Sequence, residues 1–302
     1  MAYEARGEEK GSPTGRAEVS GKSTVGESGP RIEFANPQVN LYAGDIETSL
    51  RFYRDSLGFA ETFRIPKGGV PDHVELRLGS FTLGIATFEA LKRDHGILTS
   101  RGPPRVEVAL FTDDVDGAYG WTVSRGARSL TSPQDFGGYI HNAIVADPDG
   151  NPIVFTTRLP VTTTADPTSP PRIKNHLFNI LTDDIEGALR FYHGLLGFTE
   201  TFRVPKLGRP DHVELELGGL NLAVSTFEAL KRDHRLSGGG GPPRGEVVVW
   251  VADVDSAYSW MLAKGASSLR SPHDFARGAL RAAWVGDPDG NPVQVVCRRG
   301  SS

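Results

Sequence analysis

The chain has 302 residues, 38% of them hydrophobic and 23% charged, with a formal net charge of −4. This is the balance of a globular protein with room for about two domains of ordinary size. No block of like charge points to nucleic acid or a membrane surface, no apolar run is long enough to span a bilayer, and the single cysteine, Cys297, excludes an intrachain disulfide and a thiolate metal cluster.

Residues 1–30 are rich in Gly, Ser, Glu and Lys and hold few large apolar groups, so they read as a disordered tail. They contain no apolar stretch of the kind that exports a protein, and with the lone cysteine this predicts a cytoplasmic location. Gly21-Lys22-Ser23-Thr24 looks like the end of a phosphate loop, but Arg16 stands where the upstream glycine belongs and no strand precedes it.

A strand is predicted over Val39–Ala43, followed by a helix capped by Asp45, with Ile46, Leu50, Tyr53 and Leu57 on one face and Gly58 as its stop. Strands around Glu61–Ile65, Val74–Leu78 and Phe81–Thr87 come next. A short amphipathic helix over Phe88–His95 leads into a second half of the same plan. That half has strand Val106–Phe111, a helix capped by Asp114 and stopped by Gly126, and strands near Ser129–Leu130, Ile140–Ala146 and Ile153–Thr157. Asp149-Gly150 is a strong hairpin signal between the last two. The Pro/Thr-rich stretch 159–171 reads as an extended linker.

Beyond the linker the chain repeats itself. Pro71-Asp72-His73-Val74-Glu75-Leu76 returns as Pro210-Asp211-His212-Val213-Glu214-Leu215, and Asp147-Pro148-Asp149-Gly150-Asn151-Pro152 as Asp287-Pro288-Asp289-Gly290-Asn291-Pro292. His73 and His212 are 139 residues apart, as are Phe88 and Phe227, whereas Asp147 and Asp287 are 140 apart, which places one inserted residue after Phe275. The period is that of a duplicated domain, too long for a solenoid unit. The expected domains are 31–158 and 172–299, each of two βαβββ modules, so the fold class is α+β. A helix on one face of a curved sheet leaves the other face free to line a cleft. By strand alternation Val39, Leu41, Val74, Leu76, Leu78, Leu83 and Ile85 should face the helix, and Gln38, Asn40, Tyr42, His73, Glu75, Arg77 and Gly84 the cleft.

Asp45-Ile46-Glu47, Phe52-Tyr53 and Leu57-Gly58-Phe59, repeated as Asp184-Ile185-Glu186, Phe191-Tyr192 and Leu196-Gly197-Phe198, resemble the first helix of the vicinal oxygen chelate superfamily. This group contains glyoxalase I, extradiol dioxygenases and the fosfomycin- and bleomycin-resistance proteins. The two Asp-Pro-Asp-Gly-Asn-Pro segments resemble its closing hairpin. The resemblance covers about residues 31–299 and implies two tandem domains with curved, incompletely closed sheets, helices outside, arranged as an internal pseudo-dimer in a monomer that further association would extend. It implies clefts built from halves of two different domains. For its enzymes it implies a divalent metal held by His, Gln or Glu, acting as a Lewis acid.

Carried over residue by residue, those metal positions become Gln38, Gly84, Glu246 and Gln294 for one cleft, and Leu177, Ala223, Glu107 and Val154 for the other. Two amides and one carboxylate without imidazole make a weak set. No cofactor is therefore favoured, and a divalent metal on Gln38, Glu246 and Gln294 is the lesser alternative. His176 is adjacent to Leu177, but one residue along a strand turns a side chain to the opposite face. His73 with Glu75, and His212 with Glu214, share a sheet face two residues apart and are candidate acid–base pairs. The expected substrate contacts are Gln38, Asn40, Glu107, Asn179, Glu246, Gln294 and Trp284, although Trp284 reads first as packed against a helix. Tyr119 and Tyr258 read as core, His141 and His193 as surface, and Gly238–Gly241 as a surface connection. Lys92, Arg93 and His95, with His234 in the second copy, read as a solvated helix end before an anion clamp. The expected function is binding of a small organic molecule, as in a resistance or sequestration protein, with no nucleic acid or membrane partner. The alternative is a lyase, isomerase or ring-cleaving dioxygenase.

Overall fold

The computed structural model describes residues 34–96, 106–136, 138, 140–161, 166, 168, 171–234, 241–243, 245–275 and 278–299. Contacts divide the chain into Met1–Ile32 and Glu33–Ser302, and every described residue lies in the second unit. The tail, its phosphate-loop-like segment and most of the linker lie outside the described residues.

Sixteen strands and six helices are described in this unit. The first module has β1 (Ala35–Ala43), α1 (Ile46–Leu50, continuing as a π-turn over Arg51–Ser56), β2 (Ala60–Ile65), β3 (His73–Leu78) and β4 (Phe81–Thr87). Then come α2 (Phe88–Ala90, with a π-turn over Leu91–His95), β5 (Val106–Phe111), α3 (Val115–Ser124), β6 (Arg128–Phe136), β7 (Ile140–Ala146) and β8 (Pro152–Arg158). The second repeat supplies β9 (Asn175–Thr182), α4 (Ile185–Leu189, with a π-turn over Arg190–Leu195), β10 (Thr199–Val204), β11 (His212–Leu217) and β12 (Leu220–Thr226). It ends with α5 (Phe227–Ala229, with a π-turn over Leu230–His234), β13 (Gly245–Trp250), α6 (Val254–Ala263), β14 (Ser267–Phe275), β15 (Leu280–Gly286) and β16 (Pro292–Arg298).

Each long helix starts where a carboxylate meets free backbone N–H groups. Asp45 accepts from the amides of Glu47 and Thr48, Asp114 from Gly117, Asp184 from Gly187 and Asp253 from Ser256. Such a cap is worth about 1 kcal/mol. At the other end of α1 the Leu57 amide bonds the Phe52 carbonyl at 3.1 Å, a five-residue closure, and Gly58 turns the chain at φ 79°. The second copy does the same at Leu196 and Gly197.

The two repeats exchange their modules. One eight-stranded sheet, sheet A, runs β14-β15-β16-β13-β1-β4-β3-β2 and joins the first half of repeat one to the second half of repeat two. The other, sheet B, runs β10-β11-β12-β9-β5-β8-β7-β6 and joins the complementary halves. The joints are antiparallel pairings of β1 with β13 and of β5 with β9. The helix-facing residues Val39, Val74, Leu76, Leu83 and their copies Val213, Leu215 and Leu222 are completely buried.

The closing hairpins tie modules together. Asp147, buried in the β7–β8 turn of sheet B, accepts the Tyr53 hydroxyl of α1 at 2.8 Å and both nitrogens of Asn151 at 2.7 and 2.8 Å. Asp287 repeats this with Tyr192 at 3.0 Å and Asn291. The Phe-Tyr and Asp-Pro-Asp-Gly-Asn segments are thus two ends of one contact.

Candidate functional site

In sheet A the register sets Asn40 of β1 opposite Glu246 of β13, and Gln38 beside Val248 and then Gln294 of β16. Gln38, Glu246 and Gln294 therefore share one strip of the sheet. The Glu246 carboxylate is fully enclosed: it accepts from Asn40 Nδ2 at 2.6 Å, the Tyr42 hydroxyl at 2.9 Å and the Trp284 indole N–H at 2.6 Å. Burial pushes its pKa up, and the three donors pull it back. The same burial, with the Glu246 charge beside it, raises the Tyr42 hydroxyl well above its ordinary value. Around this carboxylate Tyr42, Leu91, Val248, Trp284 and Val296 form one buried cluster, with Phe88 and Trp250 packed against it. Phe88 of α2 and Leu91 of its π-turn pack with these strand side chains over that wall of sheet A.

Sheet B repeats the frame with different contents. Glu107 of β5 lies opposite Asn179 of β9 and accepts from its Nδ2 at 2.7 Å. Positions matching Tyr42, Trp284, Trp250 and Val248 hold Leu181, Ile144, Phe111 and Ala109. Ala109, Ile144, Val154, Leu177 and Ala223 form the apolar wall, with Phe111 and Leu130 against it. Asn142, Ala223 and Ser225 are larger than their copies Ala282, Gly84 and Ala86, but the loss of an indole and a phenol outweighs those few atoms. Ser225 donates to Asn179 Oδ1 at 2.8 Å, and His212 Nδ1 meets the same hydroxyl at 2.7 Å. Glu214 Oε1 lies 3.6 Å from His212 Nε2. Both side chains are partly exposed, at 25% and 34%.

The corresponding chain in sheet A is broken. Ala86 replaces the serine, and Asn40 Oδ1 is buried without a partner. It lies so close to Gly84 that a Cβ there would sit 1.8 Å from it. Burial lowers the His73 pKa to about 4. Glu75, 4.0 Å from His73 Nε2, bonds Gln38, and burial raises its carboxyl.

A divalent metal does not fit either wall. The four positions in sheet B supply one carboxylate and three aliphatic groups. Of the four positions in sheet A, Glu246 supplies the one carboxylate and it is already held by three donors, Gly84 brings no side chain, and Gln38 and Gln294 bring amides. Among the described residues no group of three or more His, Cys, Asp and Glu side chains could hold a metal ion.

Several expectations need correction. Trp284 shows no open face as a substrate contact and is buried, as its first reading has it, in a cluster with Leu91 of the α2 turn: it is 1% exposed, stacks on His273 at 5.5 Å and donates its N–H to Glu246. Glu246 is buried at 5% exposure, with three of its hydrogen bonds already made by Asn40, Tyr42 and Trp284. Tyr119 and Tyr258 are half-buried rather than core, with hydroxyls on Ser129 and Ser268. His141 is no loose surface residue: its two nitrogens bridge Asp135 and Asp116 at 2.7 Å each, as Arg281 bridges Asp274 and Asp255. His193 bonds the Phe198 carbonyl at 2.6 Å. His176 is buried on the other face from Asn179, stacked on Phe81 at 4.0 Å, and burial lowers its pKa to about 4. Arg93 pairs with Asp72 and Asp94. The side chains of His95 and His234 and most of Gly238–Gly241 lie outside the described residues. Ser225 was missed. The mismatch of Ala86 with Ser225, two residues from Gly84 and Ala223 on a cleft-facing strand, was the available signal.

Two grooves lie outside the clefts. One of about 530 Å³ is flanked by Arg51, Arg125, Arg128, Asp147 and Asp149, the other of about 260 Å³ by Asp183, Arg209, Asp211 and Glu228. Their mixed charge selects no ligand class, and no residue of the concave walls lines them. Among the described residues no helix is long and apolar enough to cross a membrane.

The sequence profile of the Glyoxalase/Bleomycin resistance protein/Dioxygenase superfamily matches residues 36–155 and again 174–295. Among solved structures the chain is similar to glyoxalase I from Zea mays, at 19% identity and TM-score 0.57 over 86% of this chain and 92% of that one. It is also similar to a protein from Bacillus subtilis described as a putative dioxygenase, at 12% identity and TM-score 0.51 over 87% and 85%. At these identities the likeness is one of fold. No curated protein matches the chain. Two profile matches, in the two repeats whose modules interchange to build both sheets, establish that the chain belongs to the glyoxalase/bleomycin resistance protein/dioxygenase superfamily.

Proposed function

We propose that the protein binds a small organic molecule in the concave cleft of sheet B, without a divalent metal, and that the matching cleft of sheet A is a structural core. The observation that carries this reading is the contrast between the two walls. Sheet A is filled by Tyr42 and Trp284 converging on Glu246, whereas sheet B keeps the same carboxylate–amide pair under smaller apolar side chains. Apolar walls with a few convergent polar groups are the usual make-up of a small-molecule site. Asn179, His212, Glu214 and Glu107 are then the polar contacts or their supports. Gln38, Asn40, Glu246 and Gln294 hold sheet A together. A net charge of −4 offers no support for nucleic acid or an anionic membrane as partner. Binding without turnover would make this a sequestering member of its superfamily.

The test is thermal denaturation of the full chain against a panel of uncharged aromatic and aliphatic compounds, with and without chelator. A ligand that binds only the folded state raises the melting temperature by mass action. The expected hits are unaffected by chelator and lost in Ile144→Trp, which puts the bulk of Trp284 into sheet B. Hits that survive Ile144→Trp, or that need a metal, contradict the proposal.

A further inference from the structure

The hydrogen bonds behind His212 have a direction, and it is set at the buried end. The Glu107 carboxylate only accepts, so the Asn179 atom facing it at 2.7 Å is the amide nitrogen, and the Asn179 oxygen faces the other way. That oxygen only accepts, so Ser225 spends its one hydroxyl proton on it, at 2.8 Å. The serine oxygen then has only lone pairs to offer His212 Nδ1 at 2.7 Å, and Nδ1 must carry the proton. In a neutral imidazole the other nitrogen, Nε2, is left bare. Among the described residues the acidic group paired with it is Glu214, whose Oε1 lies at 3.6 Å, beyond hydrogen-bond reach.

We infer that His212 presents an unprotonated Nε2 to the cleft of sheet B and there accepts a hydrogen bond from a weakly acidic O–H or N–H of the guest, making the guest a phenol, an enol or a similar donor on an apolar body. This rests on the reading of sheet B as the binding cleft. Glu214 sharpens the selection: a carboxylate or phosphate guest would face both the Nε2 lone pair and a like charge, whereas a neutral donor places its proton between two acceptors. Ser225 and Asn179 are positioning residues, because they reach the guest only through His212. Sheet A is the built-in comparison. There Ala86 removes the hydroxyl, Asn40 Oδ1 is buried without a partner, and nothing on that route dictates the His73 tautomer.

The experiment is long-range proton–nitrogen correlation NMR on the full chain labelled with ¹⁵N-histidine, at a pH where imidazole is neutral. His212 is assigned by the signal lost in His212→Gln. The expected wild-type tautomer of His212 is Nδ1–H. Ser225→Ala should release it toward Nε2–H, and Ser225→Thr, which keeps the hydroxyl, should retain it. Added 4-methylphenol should move the Nε2 resonance of the wild type while Nδ1 stays protonated, and 4-methylbenzoate should not. A wild-type Nε2–H tautomer, a tautomer unmoved by Ser225→Ala, an Nε2 unmoved by 4-methylphenol, or equal effects of the two probes would each overturn the inference. If Ser225→Ala does not fold, the wild-type tautomer and the two probes still decide. A locked tautomer in a protein that no compound stabilises would instead count against the binding cleft itself.

Discussion

The indole N–H of Trp284 on β15 and the carboxylate of Glu246 on β13 meet at 2.6 Å across the intervening strand β16, in a wall of sheet A shared by the two repeats. A hydrogen bond to a buried charge contributes about 1.5–3 kcal/mol, and removing the donor leaves the carboxylate short of a partner. Trp284→Phe should therefore lower stability by about 2 kcal/mol in chemical denaturation. In a double-mutant cycle its effect should shrink when Glu246 is also replaced. Equal losses in both backgrounds would mean that Trp284 acts by packing alone.

Tyr53 and Asp147 join the helix over sheet A to the closing turn of sheet B, and Tyr192 and Asp287 make the copy. Both aspartates are buried, and burial raises both carboxyls against the donors that pull them down. Tyr53→Phe and Tyr192→Phe should each cost about 2 kcal/mol. The two losses should add, because the contacts share no partner. Denaturation midpoints of the two single variants and the double variant check this.

His141 stands between Asp135 and Asp116 where the second repeat has Arg281 between Asp274 and Asp255. Burial opposes its charge, but bonds from the two carboxylates prevail and raise its pKa. A raised folded value stabilises the fold fully below the unfolded pKa of about 6.5 and ceases to do so as pH rises through the folded value. The stability gap between wild type and His141→Gln should be widest below about pH 6.5 and close as pH rises above it. His141→Arg should remove this pH dependence, and a gap that grows with pH would refute the assignment.

Gly84 exists because Asn40 needs its space. A Cβ there would collide with Asn40 Oδ1, which must keep its amide nitrogen on Glu246. Gly84→Ala should cost about 1–3 kcal/mol by overpacking. In sheet B the matched residue is already Ala223, and its amide neighbour turns to Ser225. Ala223→Gly should thus cost only about 1 kcal/mol, a strand glycine penalty. Comparable melting temperatures for Gly84→Ala and wild type would show that Asn40 is free to move.

The fold was legible because its signals are local. Asp45, Asp114, Asp184 and Asp253 mark helix starts within three residues, Gly58 and Gly197 mark stops, and Asp-Gly marks the hairpins. Strand alternation placed Asn40, Tyr42 and His73 on the cleft side without any tertiary knowledge. The contents of the clefts were less legible, because Asn40 meets Glu246 across 206 residues of chain and Tyr42 meets it across 204. Which donors converge on a carboxylate depends on the register of strands from different repeats, and no local pattern carries that. That Trp284 would donate to Glu246 was hidden for the same reason. His141 lost its meaning without Asp116, which lies on a helix 25 residues earlier.

The proposed use of the cleft of sheet B, and not that of sheet A, as the binding site is tested most directly by native mass spectrometry of the full chain purified from its own cells. Wild type should carry an organic guest and no stoichiometric metal, Trp284→Phe should keep that guest, and Ile144→Trp should lose it while remaining folded. A stoichiometric divalent metal on the wild type, or a guest retained by Ile144→Trp and lost by Trp284→Phe, would contradict it.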